Sequence, residues 1–150
     1  MRKQFLTVKL VETEEMTKAE FYKSIGVRMP ECENGEEKVF KIFYKEGYKS
    51  MCPKDIFLKQ AYEIEENSVT CQLVESFIKN KEITTEKIFG KISTVLRYEL
   101  VNGFVGIEVS SCVDEKNYSK EIGEKILLDR LHNQIWQGLG FALGMAKGKQ

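Results

Sequence analysis

The sequence predicts an α+β protein in which an antiparallel sheet, built around a type I′ hairpin, is followed by a long carboxy-terminal helix and preceded by a small α+β module. Three observations predict it. Asn102-Gly103 stands between runs of alternating residues, and this dipeptide tolerates the positive φ that a two-residue type I′ turn needs at both positions. From Ser119 past Trp136, apolar residues recur at helical spacing. Short mixed segments fill the first half, and the acidic stretch 63–67 is the best place for a linker, which divides the chain into units 1–66 and 67–150.

Taken in order, residues 4–11 alternate as a strand does, and 17–25 form a short helix. A polar loop follows through Pro30, Asn34 and Gly35, then a second extended segment at 38–45 with Val39, Ile42 and Tyr44, and a turn at Glu46-Gly47. Ser50 ahead of Pro53 marks a helix start, because a proline in the first turn lacks an amide hydrogen that would have no partner there. Ile56, Phe57 and Ala61 are its inward residues. Asn67 or Ser68 caps the next helix, with Val69, Leu73, Val74, Phe77 and Ile78 on one side. A turn of only two residues then sets Leu100 opposite Val105, Tyr98 opposite Ile107 and Leu96 opposite Val109 on a buried face. On the polar face Arg97 meets Glu108 as a cross-strand ion pair, and Phe104 stands at the hairpin tip. In the last helix Leu128, Leu131, Ile135, Leu139 and Leu143 share an apolar sector with His132. Trp136, at the edge of that sector, is read as core, and Gly138, Gly140 and Gly144 loosen the helix end.

The 150 residues carry 23 basic and 23 acidic side chains, so the chain lacks the positive field that draws a protein onto extended nucleic acid. No segment has the length and apolarity of a membrane span. Cys32, Cys52, Cys71 and Cys112 include no close pair that grips a metal or runs thiol exchange, and they read as small buried residues of a reducing host cytosol. His132 is the only imidazole that could serve a serine or cysteine nucleophile, and no glycine-framed nucleophile accompanies it. The glycines at 138, 140 and 144 lie at a helix end, whereas a phosphate loop lies between a strand and a helix start. These patterns point away from an enzyme, a metal and a cofactor.

From about residue 67 to 143 a series of motifs follows in order: Ser68-Val69-Thr70, Asn102-Gly103-Phe104-Val105, Ser110-Ser111-Cys112-Val113-Asp114, Asn117-Tyr118, Glu121-Ile122-Gly123, Ile135-Trp136 and Gly140-Phe141. Together they resemble the phage protein family labelled by gene products forty-nine and sixty-six of two tailed phages. The earlier half, through Glu46-Gly47-Tyr48, Ser50, Pro53-Lys54 and Phe57, resembles a second small phage module of unknown role. The family is in turn similar to the first type of phage anti-Thoeris protein. Those proteins bind the cyclic ADP-ribose signal of an immune system at a subunit interface without cleaving it, and some also take up cyclic oligonucleotides.

The resemblance implies a non-catalytic, cytoplasmic, homo-oligomeric counter-defence protein, a sponge for a small nucleotide-derived ligand. Carried over by position, the base-stacking aromatic falls on Phe104, the polar position after Cys112-Val113 on Asp114, and the arginine of the last helix on His132. Histidine lacks the permanent charge and forked donors of arginine, which Arg97 or Arg130 would supply instead. Glu115 also departs from the resemblance, standing where the family commonly has proline. Plainer roles remain open: Phe104 packing against the first half or a neighbouring subunit, His132 as a satisfied core residue, Asp114 as a turn cap. The alternative function is a protein-interaction module that binds and inhibits a host or phage protein through the amino-terminal half, and a third is a small enzyme acting on nucleotides.

Overall fold

The computed structural model describes residues 3–4, 7–65 and 68–148. Two compact units divide the chain, residues 1–63 with 146–150 and residues 64–145, and each holds a three-stranded antiparallel sheet.

β1 (Glu12–Thr17), α1 (Lys18–Ser24), β2 (Lys38–Phe43), β3 (Lys49–Pro53) and α2 (Lys54–Phe57) make the first unit, with β2 central. Thr17 and Glu20 cap α1 reciprocally, each side chain accepting from the other's backbone amide. Phe21 and Val39 are buried, while on the opposite face of β2 the Phe40 and Phe57 rings lie 5.0 Å apart. The strand expected at 4–11 is displaced to β1, and Phe5 and Leu6 lie outside the described residues. β1 is a largely exposed edge strand placed by its ladder partners, Met16 opposite Val39 among them, so its own sequence shows little alternation. Ser50 belongs to β3, and α2 after Pro53 is a single turn, too short to turn Ile56 inward; Ile56 is exposed.

The second unit contains α3 (Cys71–Ser76), β4 (Ile78–Ile88), β5 (Lys91–Leu100), β6 (Val105–Ser111), a 3-10 turn (Glu115–Asn117) and, up to Met145, α4 (Lys120–Lys147), in sheet order β4-β5-β6. The predicted class holds: an antiparallel sheet with a hairpin and a long final helix. Thr70 caps α3, its side chain accepting from the Leu73 amide at 3.2 Å, in place of Ser68 or of Asn67, which lies outside the described residues. The helix ends at Ser76, so Phe77 and Ile78 reach the core from its last turn and from the start of β4. β4 itself was not expected. Its lysines and glutamates mask the pattern and instead bind the strand to β5, with Lys79 2.6 Å from Glu99 and Glu86 2.7 Å from Arg97.

Val74, Leu96, Tyr98, Leu127, Leu131 and Ile135 form the core of this unit. The start of α4 is fixed by close contacts with the sheet. The Tyr118 hydroxyl lies 2.9 Å from that of Thr85 and 3.2 Å from that of Thr94, and Gly123 rests on buried Thr94 so closely that a Cβ would collide with it. Gly123→Ala is therefore expected to destabilise by about 1–3 kcal/mol despite the better helix propensity of alanine. Gly140→Ala, in open space on the same helix, is expected to stabilise by about 0.5–1 kcal/mol. Denaturant midpoints read by Trp136 fluorescence check both. The glycines at 138, 140 and 144 do not loosen the end, because α4 continues to Lys147 through residues with ordinary negative φ. Trp136, expected in the core, is 41% exposed. The cysteines are not buried either: Cys32 and Cys71 are exposed, Cys52 and Cys112 are half-buried, and all four thiols are free.

The hairpin is one residue out of the expected register. Leu100 N–H donates to the Phe104 carbonyl at 2.8 Å and Gly103 N–H to the Leu100 carbonyl at 2.9 Å, leaving a loop of residues 101–103 with Gly103 at φ 82°. This is the turn-plus-bulge connection, in which only the glycine needs positive φ. Tyr98 then pairs with Gly106, Arg97 with Ile107, Leu96 with Glu108 and Val95 with Val109. A slip of one residue turns every β6 side chain to the other face. Val105, Ile107 and Val109, expected inside, point away from the core and are 66%, 63% and 39% exposed. Arg97 pairs with Glu86 instead of Glu108, and Phe104 shares the helix-side face with Tyr98. Among the described residues no helix is long and apolar enough to cross a membrane.

Candidate functional site

Gly106 lies opposite Tyr98 on the neighbouring strand, and with no side chain there the tyrosine ring lies across it, where a Cβ would strike the ring. Phe104, the next residue outward on that face, meets the same ring at 6.5 Å between centroids and remains 58% exposed. A polar chain runs beside them. The Tyr98 hydroxyl donates to Gln134 Oε1 at 3.1 Å, and Gln134 Nε2 donates to Glu108 Oε1 at 2.8 Å. Partial burial, aided by the Glu108 charge, pushes the Tyr98 phenol above its ordinary pKa and keeps it a donor. The hairpin thus presents an exposed apolar ring at its tip, packed on Tyr98, whose hydroxyl is bonded to an amide and through it to a carboxylate.

Arg130 lies on the same flank of α4 as Gln134 and donates to the Val109 carbonyl at 3.1 Å. His132 lies on the opposite flank, its Nε2 2.7 Å from Glu75 Oε2, and with Cys71, Val74, Glu75 and Trp136 it lines a groove of about 310 Å³. Glu75 is held below the usual carboxylate range by the Lys81 ammonium above all, with His132 adding to the effect and burial opposing it. The imidazole is therefore neither a core residue nor a neighbour of Phe104 within the chain. Asp114 precedes the 3-10 turn and accepts from the Lys116 amide at 3.0 Å, the capping arrangement. Arg97, on the sheet face away from α4, donates to Thr84 at 3.0 Å and pairs with Glu86. The five expected residues thus have separate partners: Phe104 packs on Tyr98, Arg130 bonds to Val109, His132 to Glu75, Asp114 caps the 3-10 turn and Arg97 pairs with Glu86.

A second cleft, of about 230 Å³, opens at the start of α4 among Thr94, Ser110, Ser111, Tyr118 and Ser119. Ser119 caps the helix there, accepting from the Ile122 amide at 3.2 Å. Phe104 lines neither cleft. Among the described residues no three histidine, cysteine or acidic side chains gather as metal ligands. Sequence reasoning missed Gln134 and Glu108. Gly106 carried the signal for the close approach, since a glycine inside a strand marks such a place, but only the true register puts it opposite Tyr98.

All of these groups lie within residues 69–146, which match the sequence model of the phage protein (N4 Gp49/phage Sf6 gene 66) family. The chain belongs to that family. The N4 Gp49/Sf6 gene 66 region takes in α3, the β4-β5-β6 sheet and α4 up to residue 146, and it leaves β1, α1, β2, β3 and α2 outside. It therefore holds Arg97, Phe104, Asp114, Arg130 and His132 alike. No curated protein and no solved structure matches the chain.

Proposed function

We propose that this family member is a non-catalytic phage counter-defence protein that captures a small nucleotide-derived immune signal, of the cyclic ADP-ribose type or a cyclic oligonucleotide. It holds the ligand unchanged in the host cytosol and works as an assembly of like chains. The observation that carries the reading is Phe104, an aromatic ring held at a hairpin tip with more than half its surface open. Stacking beneath a base contributes about 1–3 kcal/mol whatever the base. Gln134 and Glu108, reached through Tyr98, supply polar groups on the same strand pair and helix, and Arg130 supplies a permanent cation for phosphate. The separation of Phe104 from His132 within one chain supports a ligand shared between copies.

Isothermal titration of the purified chain with cyclic ADP-ribose isomers and cyclic di- and trinucleotides tests the proposal. Saturable heat is expected with one of them, and chromatography after heat denaturation should return that compound intact. No heat with any member of the panel would sink the reading. An altered compound would replace storage by turnover.

A further inference from the structure

The two edges of the second sheet differ in a way the core does not require. β4 carries Lys79, Lys81, Glu82, Glu86 and Lys87, the charged side chains that keep an edge strand from pairing with another chain. β6 carries a single charged residue, Glu108, which turns to the helix side and is bonded to Gln134. Its other face is the row Val105, Ile107 and Val109, all exposed. Residues of an antiparallel edge strand bond alternately to their neighbour and outward. Because the Phe104 carbonyl bonds to Leu100, residues 105, 107 and 109 direct their backbone groups away from β5, and Arg130 reaches the Val109 carbonyl from that side.

We propose that β6 pairs with β6 of a second copy, antiparallel about a twofold axis through Ile107, to give a continuous six-stranded sheet. The strand suits itself as a partner. Ile107 meets the partner's Ile107 and Val105 meets the partner's Val109, so apolar faces apolar along the seam, and the outward amides and carbonyls find each other once the Arg130 guanidinium gives up the Val109 carbonyl. The same axis sets the β6-side flanks of the two α4 helices side by side. That flank carries Ile126 and Phe141, both exposed, which the twofold brings towards each other across the seam. The inference rests on the reading above for an assembly of like chains, and it stands apart from any ligand.

Sedimentation velocity of the full chain tests it. The wild type is expected at twice the 17.4 kDa chain mass. Ile107→Lys sets two ammonium groups against each other at the axis and should weaken dimerisation at least about tenfold, while the circular dichroism of the monomer is unchanged. Hydrogen exchange on the wild type gives a second reading that needs no variant: the Val105 and Ile107 amides should become protected as protein concentration rises. A monomeric wild type, a dimer indifferent to Ile107→Lys, or amides that exchange freely in the dimer overturns the proposal. A dimer that binds none of the cyclic nucleotides leaves this interface standing and removes only the ligand reading.

Discussion

Leu131→Ala is expected to destabilise the second unit by about 2–5 kcal/mol. Leu131 is fully buried in the cluster that holds Leu96, Tyr98 and Val74, so the substitution loses the transfer free energy of the removed carbons and leaves a cavity between sheet and helix. It stands midway between the flank of α4 that carries Gln134 and the flank that carries His132, and a cavity beneath it loosens the seating of both. Guanidinium unfolding followed by fluorescence measures the loss, and Trp136, the chain's only tryptophan, reports on this unit because it sits on the same helix. Leu143→Ala serves as the comparison. The sequence places Leu143 in the same apolar sector, yet it lies outside the core cluster, so its truncation should cost well under half as much. Equal losses at the two positions would mean that α4 is packed otherwise than described.

That contrast shows what the sequence could and could not convey. The period of α4 was legible because Leu131, Ile135 and their neighbours repeat on one face, and it says nothing about where along the helix the sheet stops. The place of the hairpin was legible because Asn102-Gly103 is a strong turn signal. Its register was not: the same dipeptide serves a two-residue loop and a three-residue loop, the choice is settled by the packing of Tyr98 over Gly106, and a difference of one residue exchanges the faces of β6. β4 was hidden because an edge strand is stabilised by its partner's backbone and by ion pairs to Arg97 and Glu99, neither of which leaves a period in its own residues. For the site, a large aromatic at a hairpin tip pointed to an exposed Phe104, but the one-residue slip sets it on the helix-side face with Tyr98 and not on the polar face where it was expected. The polar chain from Tyr98 through Gln134 to Glu108 depends on the register, and the partner of His132 lies on α3, 57 residues away in sequence.

Phe104→Ala is expected to weaken binding of the nucleotide-derived ligand by about 5–150-fold, the equivalent of the 1–3 kcal/mol that one base gains from one aromatic platform. Stability should move by no more than about 0.5 kcal/mol, because the ring is 58% exposed and lies outside the core cluster. Phe104→Trp, which keeps a flat ring at the same place, should retain most of the affinity. Titration calorimetry and thermal unfolding on the same three proteins separate loss of the platform from loss of the fold. Gln134→Ala tests recognition of the base edge. It removes the amide that spans Tyr98 and Glu108, so it should reduce affinity most for ligands whose base offers both a donor and an acceptor at its edge, and least for those that only stack. If Phe104→Ala binds as the wild type does while His132→Ala abolishes binding, the ligand belongs in the groove between α3 and α4 and the hairpin ring has no part in holding it.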